Sequence, residues 1–193
     1  MRVAIVGGTG PFGRALARRL HEAGDDVVVG SRDAARAREQ AAELGVEGAE
    51  NAEAVRAVDV VVLAVDADAV IETARSLRDA IGTTPTLCVA SGLVSQTPSL
   101  AEQVAEVLDA PVAAGLHTVA ARTVGSDQDT LVCSDDERAK ELALDVASHA
   151  VAGRAIDAGP LKNARALEGL TGVIVAVNKR HKAHAGIKLT GLP

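Results

Sequence analysis

The first thirty-two residues constrain the fold more than any other stretch. Met1-Arg2-Val3-Ala4-Ile5-Val6 is a short apolar, β-branched run that passes directly into Gly7-Gly8-Thr9-Gly10-Pro11-Phe12-Gly13. A helical pattern follows, with Phe12, Leu16 and Leu20 on one face and Arg14, Arg18 and Arg19 on the other. Asp26-Val27-Val28-Val29-Gly30 reads as a second strand. Strand, glycine turn, helix, strand is the context in which a G-x-G-x-x-G spacing points to a dinucleotide. Gly8 is expected to turn the chain off the strand, Gly10 to let a pyrophosphate approach the backbone, and Gly13 to let helix pack on sheet. The free N–H groups of the first helical turn, aided by the helix dipole, then face the phosphates. The competing reading is an ordinary glycine-rich βα turn with no ligand.

The end of the second strand bears on which dinucleotide. NAD sites place an Asp or Glu about 20 residues past the glycines to hold the ribose 2′-OH. This chain has Gly30-Ser31-Arg32 there, with Arg36 four residues on. No carboxylate stands there to repel a 2′-phosphate, and a guanidinium presents a planar fork of donors that suits one. Ser31 can add a hydroxyl donor or cap the following helix. The alternative for Arg32 and Arg36 is a solvated helix face. The spacing reads as NADP-preferring.

The rest of the chain repeats the alternation. Strands are expected at 48–50, 59–65, 85–90, 111–116, 130–133 and 154–157, and helices at 33–44, 51–58, 66–81, 98–108, 135–149 and 161–177. Asn51 is expected to cap the brief third helix, and Pro98 to stand in the first turn of the helix it opens. This alternation predicts an α/β, Rossmann-like doubly wound parallel sheet with a small C-terminal helical and strand extension. Residues 1–125 form the expected NADP-binding part. Residues 126–193 complete the sheet, either as a second unit or as one continuous domain. Ligands bind such sheets at the carboxyl ends of the strands, here Gly7 to Phe12, Ser31-Arg32, Val65 to Asp68, Ala90 to Leu93 and His117-Thr118.

Composition narrows the chemistry. The 193 residues include one Phe and no Trp or Tyr. No aromatic platform can stack a base or a flavin, so any ring must be held by aliphatic walls, backbone or another ring. A net charge of −6 argues against general nucleic-acid binding. Cys88 and Cys133 sit in apolar runs and read as buried, reduced thiols. No apolar run approaches the roughly 20 residues of a membrane helix, and Arg2 enters a core strand without a signal peptide before it, which implies a cytoplasmic protein.

Without Tyr, the Tyr-x-x-x-Lys proton donor of short-chain dehydrogenases is impossible. His117 is the one histidine at an expected strand end over the site. It reads as a general acid, a hydrogen-bond donor to a ring carbonyl, or a structural residue. A reaction between two redox cofactors asks little acid–base help. Two rings must be held with reacting carbons about 3–3.5 Å apart and water kept out. His181-x-x-His184 belongs to a basic tail and lacks the Cys or carboxylate partners of a metal site.

Several segments together resemble the F420-dependent NADP oxidoreductases, also called NADPH-dependent F420 reductases. They are Met1-Arg2-Val3-Ala4 with Gly7-Gly8-Thr9-Gly10, Val29-Gly30-Ser31-Arg32, Leu116-His117-Thr118, Asp157-Ala158-Gly159-Pro160-Leu161, Leu170-Thr171 and Gly186-Ile187-Lys188. The resemblance implies an oxidoreductase that passes a hydride between NADPH and the 5-deazaflavin coenzyme F420. It implies that Thr9, Gly10, Pro11, Phe12, Ser31, Arg32 and Arg36 hold NADP phosphates. Val65, Ala69, Ala90, Ala121 and Leu161 would line the nicotinamide half, and His117 and Thr118 would lie beside the deazaflavin. It also implies a homodimer built through the C-terminal part. The chain departs from the pattern by shorter stretches after Leu44, Gly92 and Arg122, and by Asp66-Ala67-Asp68 where the family carries Pro-Trp-Glu. The basic residues Lys179, Arg180, Lys182 and Lys188 suit a polyanionic coenzyme, or simply a solvated helix end. Two other functions fit the same module: an NADPH-dependent flavin or ferric reductase, and a non-catalytic NADP sensor.

Overall fold

The computed structural model of the chain describes residues 1–92 and 97–192. Eight strands form one sheet: β1 (Arg2–Val6), β2 (Asp26–Ser31), β3 (Glu47–Glu50), β4 (Val60–Leu63), β5 (Thr86–Cys88), β6 (Val112–Gly115), β7 (Thr130–Ser134) and β8 (Ala155–Asp157). Their spatial order is β3-β2-β1-β4-β5-β6-β7-β8. The helices are α1 (Pro11–Glu22), α2 (Ala34–Ala42), α3 (Asn51–Ala54), α4 (Val70–Ile81), α5 (Leu100–Val107), α6 (Glu137–Ala150) and α7 (Ala164–His181), with 3-10 turns at Ala121–Thr123 and Leu161–Asn163. The first strand lies inside the sheet between β2 and β4, so the order reverses beside it and opens a crevice at the strand ends.

The near-continuous apolar runs follow from burial on both faces. Successive side chains of a strand point to opposite faces. Val3 and Ile5 of β1 join Val60 and Val62 of β4 in a core beneath α1 and α6, while Ala4 and Val6 join Val61 and Leu63 in a second core beneath α4 and α5. Leu16, Ala17 and Leu20 are the α1 face buried in the first core, and Phe12 packs partly buried against it.

Two expectations about topology change. The sheet is mixed, because β7 runs antiparallel to β6 while the remaining pairs are parallel. A parallel return needs a crossover, usually a helix. Between β6 and β7 the chain makes only the short turn Ala121–Thr123, so it comes back antiparallel. The long terminal helix begins at Ala164, after the separate turn Leu161–Asn163, and runs on to His181.

Local capping also differs from expectation. The third helix starts at Asn51 but is capped by the Glu50 side chain, which accepts from Ala52 N at 2.9 Å. The fifth starts at Leu100 with Ser99 as its cap, leaving Pro98 outside the helix. The second is capped by Asp33, which accepts from Ala35 N and Arg36 N, so Ser31 does not cap it. Near the C-terminus, fully buried Asp129 accepts from Arg154 N at 3.1 Å, Arg154 Nη2 at 2.7 Å and Leu189 N at 2.8 Å. This ties the tail along the start of β7. Lys188 is paired there with Asp127.

Candidate active site

Two adjoining cavities at the carboxyl ends of the strands share Gly10, Pro11, Ala64, Val65 and Asp66, and so form one groove. The larger, about 350 Å³, reaches from the glycine turn to Ser31, Arg32 and Arg36. The smaller, about 220 Å³, lies beside Phe12, Ala67, Val89, Ala90 and Ser91.

The glycine turn is set by close backbone approaches. Gly7, not Gly8, makes the sharp bend: its φ is +80°, and a Cβ there would fall 2.5 Å from Ala64 O. Gly8 is a packing position, because a Cβ would meet Ile5 O at 2.8 Å and Val29 Cγ1 at 2.9 Å. Gly13 seats α1 on the turn, where a Cβ would lie 2.5 Å from Gly7 O. At Gly10 the only close neighbour of such a Cβ is Gly7 O at 3.3 Å, so its outer face is open toward the groove.

The start of α1 is prepared for an anion from outside the chain. Its cap residue, Gly10, offers no side chain, Pro11 follows, and no acidic residue lies in the first turn. The starts of α2, α3 and α6 are instead capped by the chain's own carboxylates, Asp33, Glu50 and Asp136. A helix start with free N–H groups and no resident acid is an anion site. Ala69, which precedes α4 and lends no side-chain cap either, lines the same cavity.

At the other end of this cavity, Arg32 and Arg36 are exposed, and their guanidinium groups have no ion pair among the described residues. Arg2, Arg14, Arg75, Arg78, Arg154 and Arg165 each hold a carboxylate. Other arginines also lack an ion pair among the described residues, but Arg32 and Arg36 are the two arginines that line this cavity, with their donors available to a phosphate. Buried Ser31, the last residue of β2, precedes them, its Oγ accepting from Asp33 N at 3.2 Å. Asn51 was not a candidate from sequence, yet it lines this cavity. It is 6% exposed, and its Oδ1 has no partner among the described residues. That oxygen sits over Gly30, where a Cβ would be 2.9 Å away. The clue was Gly30 itself, a strand residue whose missing side chain makes room for a neighbour.

The smaller cavity has the aliphatic walls expected of a chain almost without aromatics: Ala64, Val65, Ala67, Val89 and Ala90. Its polar side chains are those of Asp66 and Ser91, and Ser91 leads to a buried network. The chain bends at Leu116, a buried residue with φ +62°, and so brings His117 behind Ser91. His117 Nδ1 is 3.0 Å from Ser91 Oγ, Ser91 Oγ is 2.9 Å from Thr171 Oγ1, and Thr171 Oγ1 donates to His117 O at 2.8 Å. Thr171 has one hydroxyl proton and gives it to the carbonyl. Ser91 must then donate to Thr171 and accept from His117 Nδ1–H. The network thus assigns the imidazole proton to Nδ1 and leaves Nε2, buried and without a partner among the described residues, as an acceptor. Burial pushes His117 down to about 4. At neutral pH it is an uncharged acceptor, which departs from both the general-acid and the carbonyl-donor readings.

The structure brings Thr9, Gly10, Pro11, Phe12, Ser31, Arg32, Arg36, Val65, Ala69 and Ala90 to the groove wall, with Gly8 and Gly13 beneath them. His117 and Thr118 are buried behind Ser91 and line neither cavity. Ala121, in the turn at Ala121–Thr123, and Leu161, buried in the second core, also stand away from it. Leu93 lies outside the described residues. Gly7 and Ser91, which fall within the expected strand-end stretches, also line the groove, as does Thr73, which the sequence pattern did not single out.

Residues 2–85 match the family described as NADP oxidoreductase, coenzyme F420-dependent. The F420-dependent NADP reductase of Methanothermobacter thermautotrophicus is 35% identical over 223 aligned positions, covering 100% of this chain and 96% of that protein. That of Methanocaldococcus jannaschii is 31% identical, covering 100% and 99%. Both alignments are longer than the 193 residues here, in keeping with the shortened loops. Among solved structures, an Arthrobacter sp. FB24 protein with a provisional F420-dependent NADP-reductase name superposes with a TM-score of 0.87 at 24% identity, covering 99% of this chain and 100% of that one. With the full chain aligned to both reductases, this protein belongs to the F420-dependent NADP reductase family.

Proposed function

We propose that the protein transfers a hydride between NADPH and coenzyme F420. The observation that carries the NADP half is an α1 start without a side-chain cap, in one cavity with two guanidinium groups that have no ion pair among the described residues. The F420 half rests on the family. When bound, the two coenzymes would supply the redox chemistry: a hydride passes between nicotinamide and deazaflavin, with one proton taken up when F420 is reduced and released when NADP+ is reduced.

The protein's part is binding, orientation and exclusion of water. In this reading the backbone from Thr9 to Phe12 holds the pyrophosphate, and Ser31, Arg32 and Arg36 hold the 2′-phosphate. Val65, Ala69 and Ala90 line the nicotinamide half with aliphatic surface, which keeps water from the reacting carbons. His117 and Thr118 back the deazaflavin side, with Nε2 of His117 offered as an acceptor. Ala121 and Leu161 support from behind.

The C-terminal part, 126–193, contributes α7 to the ring end and to a homodimer. The distal half of α7 leaves Val173 57% and Val177 38% exposed, and Leu189 and Leu192 of the tail are also exposed. An apolar stripe of this kind fits a second copy of the chain. A cytoplasmic location is supported by two free, buried cysteines, which burial pushes up to about 12.

The test is spectrophotometric. NADPH should bleach the visible band of oxidised F420, and NADH at equal concentration should not. Bleaching of free flavin or a ferric chelate, with F420 untouched, would replace F420 with that acceptor. NADPH binding with no turnover of any acceptor would make the protein a sensor.

A further inference from the structure

Helix α7 presents Arg165, Glu168 and Thr171 at three-residue intervals, a ridge on one side of the helix. Each holds a different part of the ring end. Thr171 bonds Ser91, just past β5, and the carbonyl of His117, just past β6. Glu168 accepts from Leu100 N through Oε2 and from Ala101 N through Oε1, both at 3.1 Å. Arg165 grips Glu102 in a fork, Nε to Oε2 at 2.7 Å and Nη2 to Oε1 at 2.6 Å. Both flanks of the β5–α5 connection are therefore fastened to one helix.

The first turn of α5 gives a complete account of its N–H groups. Ser99 N donates to Glu102 Oε2 at 2.9 Å, Leu100 and Ala101 donate to Glu168, and Glu102 N donates to Ser99 Oγ at 3.2 Å. The caps of α2, α3 and α6 come from the residue next to the helix. The cap on Leu100 and Ala101 comes from a residue far along the chain, and Glu168 is 0% exposed. Burial raises its carboxyl above the ordinary range. Satisfying two N–H groups does not require an expensive buried acid, since water or a neighbouring Asp would serve. The remote cap fixes α7 against the start of α5. One turn further along α7 stands Thr171, whose hydroxyl meets Ser91 and the carbonyl of His117.

We infer that Glu168, with Arg165, is a positioning residue for the deazaflavin side of the groove, acting through the Ser91–His117–Thr171 network and leaving the NADP end untouched. This rests on the reading of that side as the deazaflavin site. The NADP end lies across β1 on α1 and β2, whereas α7 packs on α5, β6 and the turn Leu161–Asn163.

The experiment uses the full chain and three variants. Glu168→Gln keeps the volume and one acceptor, Glu168→Leu removes both acceptors, and Arg165→Lys keeps the charge but loses the fork on a half-exposed pair. NADPH Kd is read from nicotinamide fluorescence, and KM and kcat from F420 bleaching. Hydrogen exchange is followed in peptides covering 97–102 and in α1. Loss of a hydrogen bond to a charged group predicts an F420 kcat/KM lower by about tenfold in Glu168→Gln and more in Glu168→Leu, with NADPH Kd within about twofold. Exchange should quicken at 97–102 and stay unchanged in α1. If Glu168→Leu does not fold, Glu168→Gln and Arg165→Lys still decide. F420 kinetics unchanged in both, or an NADPH Kd rising in parallel with F420 KM, would overturn the inference. A wild type that fails to reduce F420 would sink the functional reading instead. Hydrogen exchange would then decide the positioning claim alone, and equal exchange at 97–102 would refute it.

Discussion

Replacing Arg32 by Ala tests the basis of NADP recognition. In the structure Arg32 is exposed and lines the larger cavity together with Arg36, and neither is held by a carboxylate among the described residues. No internal ion pair has to break before a phosphate binds, so the gain from the phosphate is not offset by a loss. A hydrogen bond to a charged group is worth about 1.5–3 kcal/mol. Exposure and screening put this one near the lower end, about 1.5 kcal/mol, which is about tenfold in Kd. NADH lacks the 2′-phosphate and should bind the variant as it binds the wild type. The assay is nicotinamide fluorescence titrated with each nucleotide, at low ionic strength and again with added salt. The NADPH preference should shrink in salt and shrink again in Arg32→Ala. An Arg32→Ala variant that keeps its NADPH affinity, or loses NADH equally, would show that these arginines are solvated surface charges.

Other perturbations follow from particular contacts. Gly13→Ala would put a Cβ 2.5 Å from Gly7 O, a backbone atom that cannot step aside. Overpacking of this kind costs about 1–3 kcal/mol, so the melting temperature should fall and NADPH binding with it. His117 titrates near 4 in the fold against 6.5 when free. Its contribution to stability is therefore present above pH 6.5 and lost as pH falls toward 4, up to about 3 kcal/mol. Urea melts across that window should be flatter in His117→Gln. Asp129→Ala would leave Arg154 and Leu189 N without their acceptor. Limited proteolysis should then cut the tail beyond residue 183 while the wild type resists. The proposed homodimer predicts a dimer on size-exclusion chromatography for the wild type and a monomer for Val177→Asp.

Much of the architecture was legible because it is written in local periods. The runs at Val3 to Val6 and Val60 to Leu63 are apolar at every position, which only burial on both faces explains. The glycine spacing and the missing carboxylate at Ser31-Arg32 are local signals too, and they marked the groove wall. The reversal of β7 was not legible, since strand direction depends on what the connection can span and not on the strand's residues. Nor was the bend at Gly7, because two adjacent glycines look alike until a φ of +80° separates them. The environment of His117 was hidden for another reason. Its tautomer is set by Ser91 and Thr171, 26 residues before it and 54 after it, and no short window contains all three.

A pocket walled by alanine and valine, in a chain holding one Phe and neither Trp nor Tyr, has an optical consequence. The polypeptide is almost dark in the near ultraviolet. Any band or emission seen there belongs to the bound coenzymes, so occupancy and redox state can be followed by colour alone. The same transparency means that the usual absorbance reading misstates how much protein is in the cuvette.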